Sequence, residues 1–112
     1  MIEVDIKEYL EEELDSIPVL FEWPKTKTVP CVLMQIIDEG YVNHIPAMTI
    51  SFTISHTSFY KAKELADQIK DLLLNAISLE NVSRSSLGGV NPTIDSVRGV
   101  YQYEVIFNFI HF

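Results

Sequence analysis

The chain has a single cysteine, Cys31, and that scarcity removes two kinds of chemistry. No internal disulfide can form, and a thiolate metal site lacks its partners. Basic residues are few as well: eight Lys and Arg stand against sixteen Asp and Glu, for a net charge of −8. Affinity for phosphate backbones comes from clustered Lys and Arg, and these are scattered, so no sequence-specific nucleic-acid binding is expected. No run approaches the ~20 apolar residues that span a bilayer. The opening Met1-Ile2-Glu3-Val4-Asp5 also lacks the basic start and apolar stretch of a secretory signal. The expectation is a protein made and kept in the cytosol, with no membrane partner. On that expectation the sequon Asn81-Val82-Ser83 carries no weight.

Reactive constellations are missing too. There is no Gly-x-Ser-x-Gly elbow, and Cys31 sits within an apolar strand pattern where a thiol should be inert. Gly88-Gly89 lacks the Gly-Lys-Ser/Thr ending of a phosphate loop and reads as a turn or strand kink. His44, His56 and His111 fall in a turn, at a strand end and near the C-terminus, without the close spacing of metal ligands. Asp38-Glu39 beside Gly40 reads as a solvated hairpin turn rather than an acid-base pair. No catalytic residue, cofactor or metal is therefore expected, and the chain is not expected to be an enzyme.

What is present is a foldable pattern. At 112 residues, 47% of them hydrophobic, the chain suits one domain, 1–112, with one core. Ile2, Ile6, Tyr9, Leu10 and Leu14 recur at helical spacing, with acids filling most positions between them, which predicts an amphipathic helix over about 2–15. Seven acids crowd this segment (Glu3, Asp5, Glu8, Glu11, Glu12, Glu13, Asp15), as on a solvated helix face. Pro18 ends it. Short strands are predicted at Val19 to Trp23 and at Cys31 to Asp38, followed by a turn at Glu39-Gly40. Ala47 to Ser55 alternates Met48, Ile50, Phe52 and Ile54 with hydroxyl residues, the pattern of a half-buried strand.

Thr57 or Ser58 can cap the next helix, whose apolar stripe runs Ala62, Leu65, Ala66, Ile69, Leu72, Leu73, Ala76, Ile77. Val82 to Leu87 reads as a weak strand broken by Gly88-Gly89, Asn91-Pro92-Thr93 as the start of a loop, and Val100 to Phe112 as a long aromatic strand. The order α-β-β-β-α-β-β predicts an α+β fold, with a mainly antiparallel sheet of about five strands and two helices on one face. Leu65, Ile69, Leu72 and Leu73 should pack on Tyr103, Val105 and Phe107.

One mismatch bears on function. The second strand is apolar on both faces, with Cys31, Leu33 and Ile37 on one and Val32, Met34 and Ile36 on the other. The last strand sets Tyr101, Tyr103, Val105, Phe107 and Phe109 against Val100, Ile106, Ile110 and Phe112. Two helices cover one face of such a sheet; the other must be covered by a fold of the sheet itself or by another subunit. Exposed turns are the natural contact points, with Lys25 and Lys27 in one, and Gly40, Tyr41, Asn43 and His44 in another. Trp23 is a candidate interface anchor or a core or lid residue.

Four segments carry a likeness to a known family. They are the Ile2-x3-Ile6-x2-Tyr9-Leu10 helix running into Ile17-Pro18-Val19; Pro30-Cys31-Val32-Leu33-Met34-Gln35; Thr49 to Ile54 leading through Ser58 to Tyr60, Ala62 and Leu65; and Tyr101-Gln102-Tyr103-Glu104-Val105. In order and spacing the chain resembles the tail-terminator or tail-completion (minor capsid) proteins of long-tailed phages and prophages. It departs from them in carrying Lys61 where an acid is common, and in separating Arg98 from Tyr101 by Gly99 and Val100. The resemblance implies a hexameric ring of identical subunits at the head-proximal end of the tail tube. Its partners would be the tail tube protein and a head-completion or connector protein, with DNA passing through the lumen. It implies a place in the virion tail or neck, assembled in the bacterial cytoplasm. Competing readings are another neck protein, such as a head-completion protein, and a small-ligand-binding α+β domain; an enclosed polar pocket would favour the last.

Overall fold

The computed structural model describes residues 2–14, 17–21, 30–74, 82–95 and 100–111. Helix α1 spans Ile2–Leu14 and leads to a two-residue strand β1, Val19–Leu20. A hairpin of β2, Cys31–Val42, and β3, Ile45–His56, precedes helix α2, Phe59–Leu74. Strands β4, Val82–Asp95, and β5, Val100–His111, complete a five-stranded sheet in the order β1-β2-β3-β5-β4. The α+β architecture and the element order follow the pattern read from the sequence. Among the described residues only β1 against β2 is parallel, and the other pairings are antiparallel.

Both helices pack on one face of the sheet. From α1 the buried residues are Ile2, Ile6, Leu10 and Leu14, and from α2 Ala62, Leu65, Ala66, Ile69 and Leu73. They share one core with Val32, Met34, Met48, Ile50, Phe52, Ile54, Tyr103, Val105, Phe107 and Phe109. The strand residues in this set pair across the sheet, Met34 with Phe52 and Phe52 with Val105, so they project to the same side. Leu65, Ile69 and Leu73 thus meet Tyr103, Val105 and Phe107 as expected, with Leu72 and Tyr9 half-buried at the margin. Phe52 and Phe109 meet edge to face at 6.5 Å, and Phe107 stacks near Phe109 at 6.0 Å.

Ser58 begins α2. Its carbonyl accepts from the Ala62 amide at 2.9 Å, and its Oγ lies 3.5 Å from the Lys61 amide. The cap therefore forms with Lys61 at the third helical position, without the reciprocal acid of a capping box. The acids of α1 are exposed or half-exposed as far as Glu13, and Lys7 pairs with Glu11. Asp15 and the helical positions Ala76 and Ile77 lie outside the described residues.

Three boundaries differ from the sequence reading. Glu39 and Gly40 form no turn: β2 continues through them, pairing Asp38 with Thr49, Glu39 with Met48 and Gly40 with Ala47. The turn lies at Asn43 and His44, whose φ values of 50° and 68° are both positive, as a two-residue type I′ hairpin requires. Asn and His enter this region more readily than most residues, so the turn forms without glycine. Gly88-Gly89 does not break its strand but makes a bulge, with Leu87 paired to Phe107 and Gly89 to Ile106. Nor does Asn91-Pro92-Thr93 begin a loop, for these residues pair with Glu104, Tyr103 and Gln102. Pro92 is tolerated because β4 is an edge strand.

Candidate assembly interface

β2 is buried over Cys31–Met34 and exposed from Gln35 to Val42. Along β2 the buried run ends at Met34, while β3 stays in the core through Ile50 to Met48 and pairs with β5 from Ala47, so the hairpin's exposed arm is the outer strand β2 beyond Met34 and a two-stranded tip, Tyr41 to Pro46. Its exposed side chains are not the polar set such an arm needs in water. Ile36, Ile37, Tyr41, Val42 and Ile45 are all more than 40% exposed, with Ile37 at 55% and Tyr41 at 77%. Each apolar Å² left in water forgoes about 25 cal/mol, and a two-stranded ribbon is barely stable on its own. Exposed apolar side chains gathered at one end of a sheet, on both of its faces, are the kind of surface that docks on another.

A register shift between Ile36 and Asp38 makes Ile37 an extra residue in the arm. The bulge breaks the strict alternation, so Ile37 does not simply extend the face of Cys31 and Leu33. Beyond it Asp38, Gly40 and Val42 pair with Thr49, Ala47 and Ile45 on the helix-free face, while Glu39 and Tyr41 project to the helix side.

The helix-free face is more polar than its end residues suggested. Between Ile106 and Ile110, β5 presents Asn108, which accepts from Thr49 Oγ1 at 2.8 Å on Oδ1. Ser51 Oγ donates to Glu104 Oε2 at 3.0 Å, and Gln102 Nε2 to Ser55 Oγ at 3.2 Å. This ladder of hydrogen bonds satisfies Ser51 and Ser55, which are buried without helices above them. Cys31 and Leu33 are buried on the same face. The Cys31 thiol is pushed up from its ordinary pKa by burial, against a smaller lowering from its hydrogen bond with Ser55, so it stays protonated and unreactive.

A groove of about 410 Å³ runs along the helix-free face at the root of the arm. Its lining includes Asp38, Thr49, Arg84, Ser86 and Asn108, with the small residues Gly40 and Ala47 side by side. A smaller hollow of about 260 Å³ lies beside Tyr41, Pro46 and His111. Among the described residues no three His, Cys, Asp or Glu side chains come together as a metal site requires. No helix among them is long and apolar enough to cross a membrane.

Of the residues picked from the sequence, Gly40, Tyr41, Asn43 and His44 come together on the arm and are exposed. Trp23, Lys25 and Lys27 lie outside the described residues, as does Ser96 to Gly99, which includes Arg98. Sequence reasoning placed Ile36 and Ile37 on strand faces but missed that they leave the core with Val42 and Ile45. It also passed over Leu87 and Val90, exposed on the edge strand β4. The signal for the arm was available: apolar residues on both faces continue past Asp38 and Glu39 to Tyr41 and Val42, with Asn43-His44 as the only break before Ile45.

No family model matches the chain, and no curated protein matches it. Among solved structures it is similar to a chain of the virion of a native gene transfer agent particle, with a TM-score of 0.62 and 12% sequence identity. The match covers 91% of this chain and 83% of that one, so the likeness is one of whole fold.

Proposed function

We propose that the chain is a structural subunit of a tailed-phage-like particle, a tail terminator that forms a ring, hexameric by the family resemblance, on the head-proximal end of the tail tube. The carrying observation is the β2–β3 arm, which leaves Ile36, Ile37, Tyr41, Val42 and Ile45 in solvent. A domain that leaves its outer strand β2 exposed and apolar beyond Met34 and extends a two-stranded tip is built to be completed by another surface. The shared fold with a virion chain supports a particle component over a ligand-binding domain.

The mechanism follows from capping a polymer. A tube grows while each added ring offers the next the same surface. A terminator matches the tube end on one side and presents a different surface to the head connector on the other. Each subunit then needs only modest contacts, because several engage together. No catalytic group or cofactor enters this role. Deleting the gene from its phage or prophage should leave filled heads without tails, and tails that are overlong or unable to join heads. Normal tailed particles from the deletion, seen by electron microscopy, would rule the assignment out.

A further inference from the structure

The sheet has two outer edges open to pairing. β1 pairs with β2 only at Val32 and Leu33, so from Met34 to Val42 the outer edge of the arm has no strand beside it among the described residues. The opposite edge is β4, whose outer side likewise carries no strand among them. Each edge presents a row of backbone donors and acceptors that would template pairing with another chain. The register shift between Val82 and Arg84, the bulge at Gly88 and the missing N–H of Pro92 blunt the rest of β4, leaving Arg84–Leu87 as its regular stretch.

Strand polarity decides how two such edges can meet. β2 and β5 run one way, β3 and β4 the other, since each successive pair from β2 to β4 is antiparallel. A rotation about an axis along the strands keeps both direction and face, so the β2 edge of one copy meets the β4 edge of the next antiparallel. Faces match as well. Asp38 pairs with Thr49, Thr49 with Asn108 and Asn108 with Ser86, while Arg84 pairs with Ile110, so Asp38 and Arg84 both stand on the helix-free face.

We propose that copies of this chain join head to tail by edge pairing, the β2 edge of one adding antiparallel to Arg84–Leu87 of the next, with Asp38 set against Arg84 of that copy. In this register Ile36 comes within reach of the neighbouring Leu87 on the helix side of the sheet, so two exposed apolar side chains cover each other while the Asp38–Arg84 ion pair forms on the opposite face. The contact is heterologous, and at the right rotation it closes into a ring in which these edges no longer lie open. The inference deepens the ring reading above and rests on it.

The test is a covalent one, with the double variant Asp38→Cys/Arg84→Cys of the full chain. Within one copy these positions are separated by β3 and β5, roughly 14 Å at ~4.8 Å per strand, beyond the ~7 Å limit for bridged Cα atoms. Mild oxidation should therefore link only different copies, giving a ladder up to the ring number on a denaturing gel, where either single variant stops at dimers. Asp38→Arg and Arg84→Asp should each raise the concentration needed for assembly several-fold, and the double reversal should restore it. Native mass measurement of the unaltered protein reads the ring itself. A ring by mass with no ladder, and no response to the charge reversals, overturns the edge pairing and leaves the ring reading standing. A chain that stays monomeric at every concentration and on isolated tail tubes removes the ring reading, and the pairing with it.

Discussion

The Tyr9 hydroxyl donates to the Leu72 carbonyl at 3.1 Å, tying the middle of α1 to the last turn of α2. The apolar side chains Ile2, Ile6, Leu10 and Leu14 fix the depth of α1 against the domain but not its direction along α2. The bond also satisfies a carbonyl near the open end of α2. Tyr9→Phe should cost about 1 kcal/mol, the usual worth of such a bond, measured by urea unfolding. Burial, with a smaller push from Glu13, raises the Tyr9 pKa above the ordinary 10.0. The protonated form is thus favoured in the folded state, and its contribution is complete below pH 10 and lost as pH rises through the folded pKa. Tyr9→Phe should flatten that alkaline limb of the stability curve; an unchanged limb would separate the tyrosine from it.

Ile69 is 0% exposed and stands in the core shared by α2 and β5. Ile69→Ala should destabilise the domain by about 2–5 kcal/mol, the range for a large-to-small change that leaves a cavity. A near-neutral result in denaturant unfolding would refute the packing of α2 against the sheet.

The elements with a strong period were legible and those set by partners were not. Ile2, Ile6, Leu10 and Leu14, like Leu65, Ile69 and Leu73, announce a buried stripe because helical spacing leaves them no other common face. Glycine and proline misled. Gly40, Gly88 and Pro92 read as punctuation, yet all three lie within strands. Gly40 has nothing within 4 Å of where a Cβ would stand, so no close approach demands it. Gly88 is different: a Cβ there would meet the Ile106 carbonyl oxygen, Ile106 Cγ2 and Asn108 Nδ2 at 3.2 Å, so the bulge presses its backbone against β5. The parallel pairing of β1 with β2 was not predictable, because it rests on contacts between segments that sequence periodicity does not relate. Of the candidate interface, the tip residues Tyr41, Asn43 and His44 were found by their turn-like setting, while the length of the arm depended on where the helices stop covering the sheet.

His56 accepts a hydrogen bond on Nδ1 from the Ser58 amide at 3.3 Å, at the entrance to α2. Burial, and then the charge of Lys61, lower its pKa from the ordinary 6.5. The folded state therefore favours neutral imidazole, whose stabilising effect is present above pH 6.5 and lost as pH falls through the folded pKa. Protonation also removes the acceptor that Ser58 uses. Denaturant midpoints should fall on acidification below about pH 6.5, and His56→Gln should remove that part of the slope. Equal slopes in the two proteins would show that carboxylates alone govern acid unfolding.

Tyr41 separates assembly from folding more cleanly than any core residue. At 77% exposed it has little to lose in the free domain, and Tyr41→Ser should change unfolding stability by no more than about 0.5 kcal/mol, as surface changes usually do. If the arm docks on another surface, the same substitution removes a large apolar contact from every subunit of the ring at once, and repeated small losses multiply. The expected result is a protein that folds normally yet fails to restore tail joining when supplied to a phage lacking the gene. Full complementation by Tyr41→Ser, together with Ile37→Ser, would show that the exposed arm is not where the protein meets its partners.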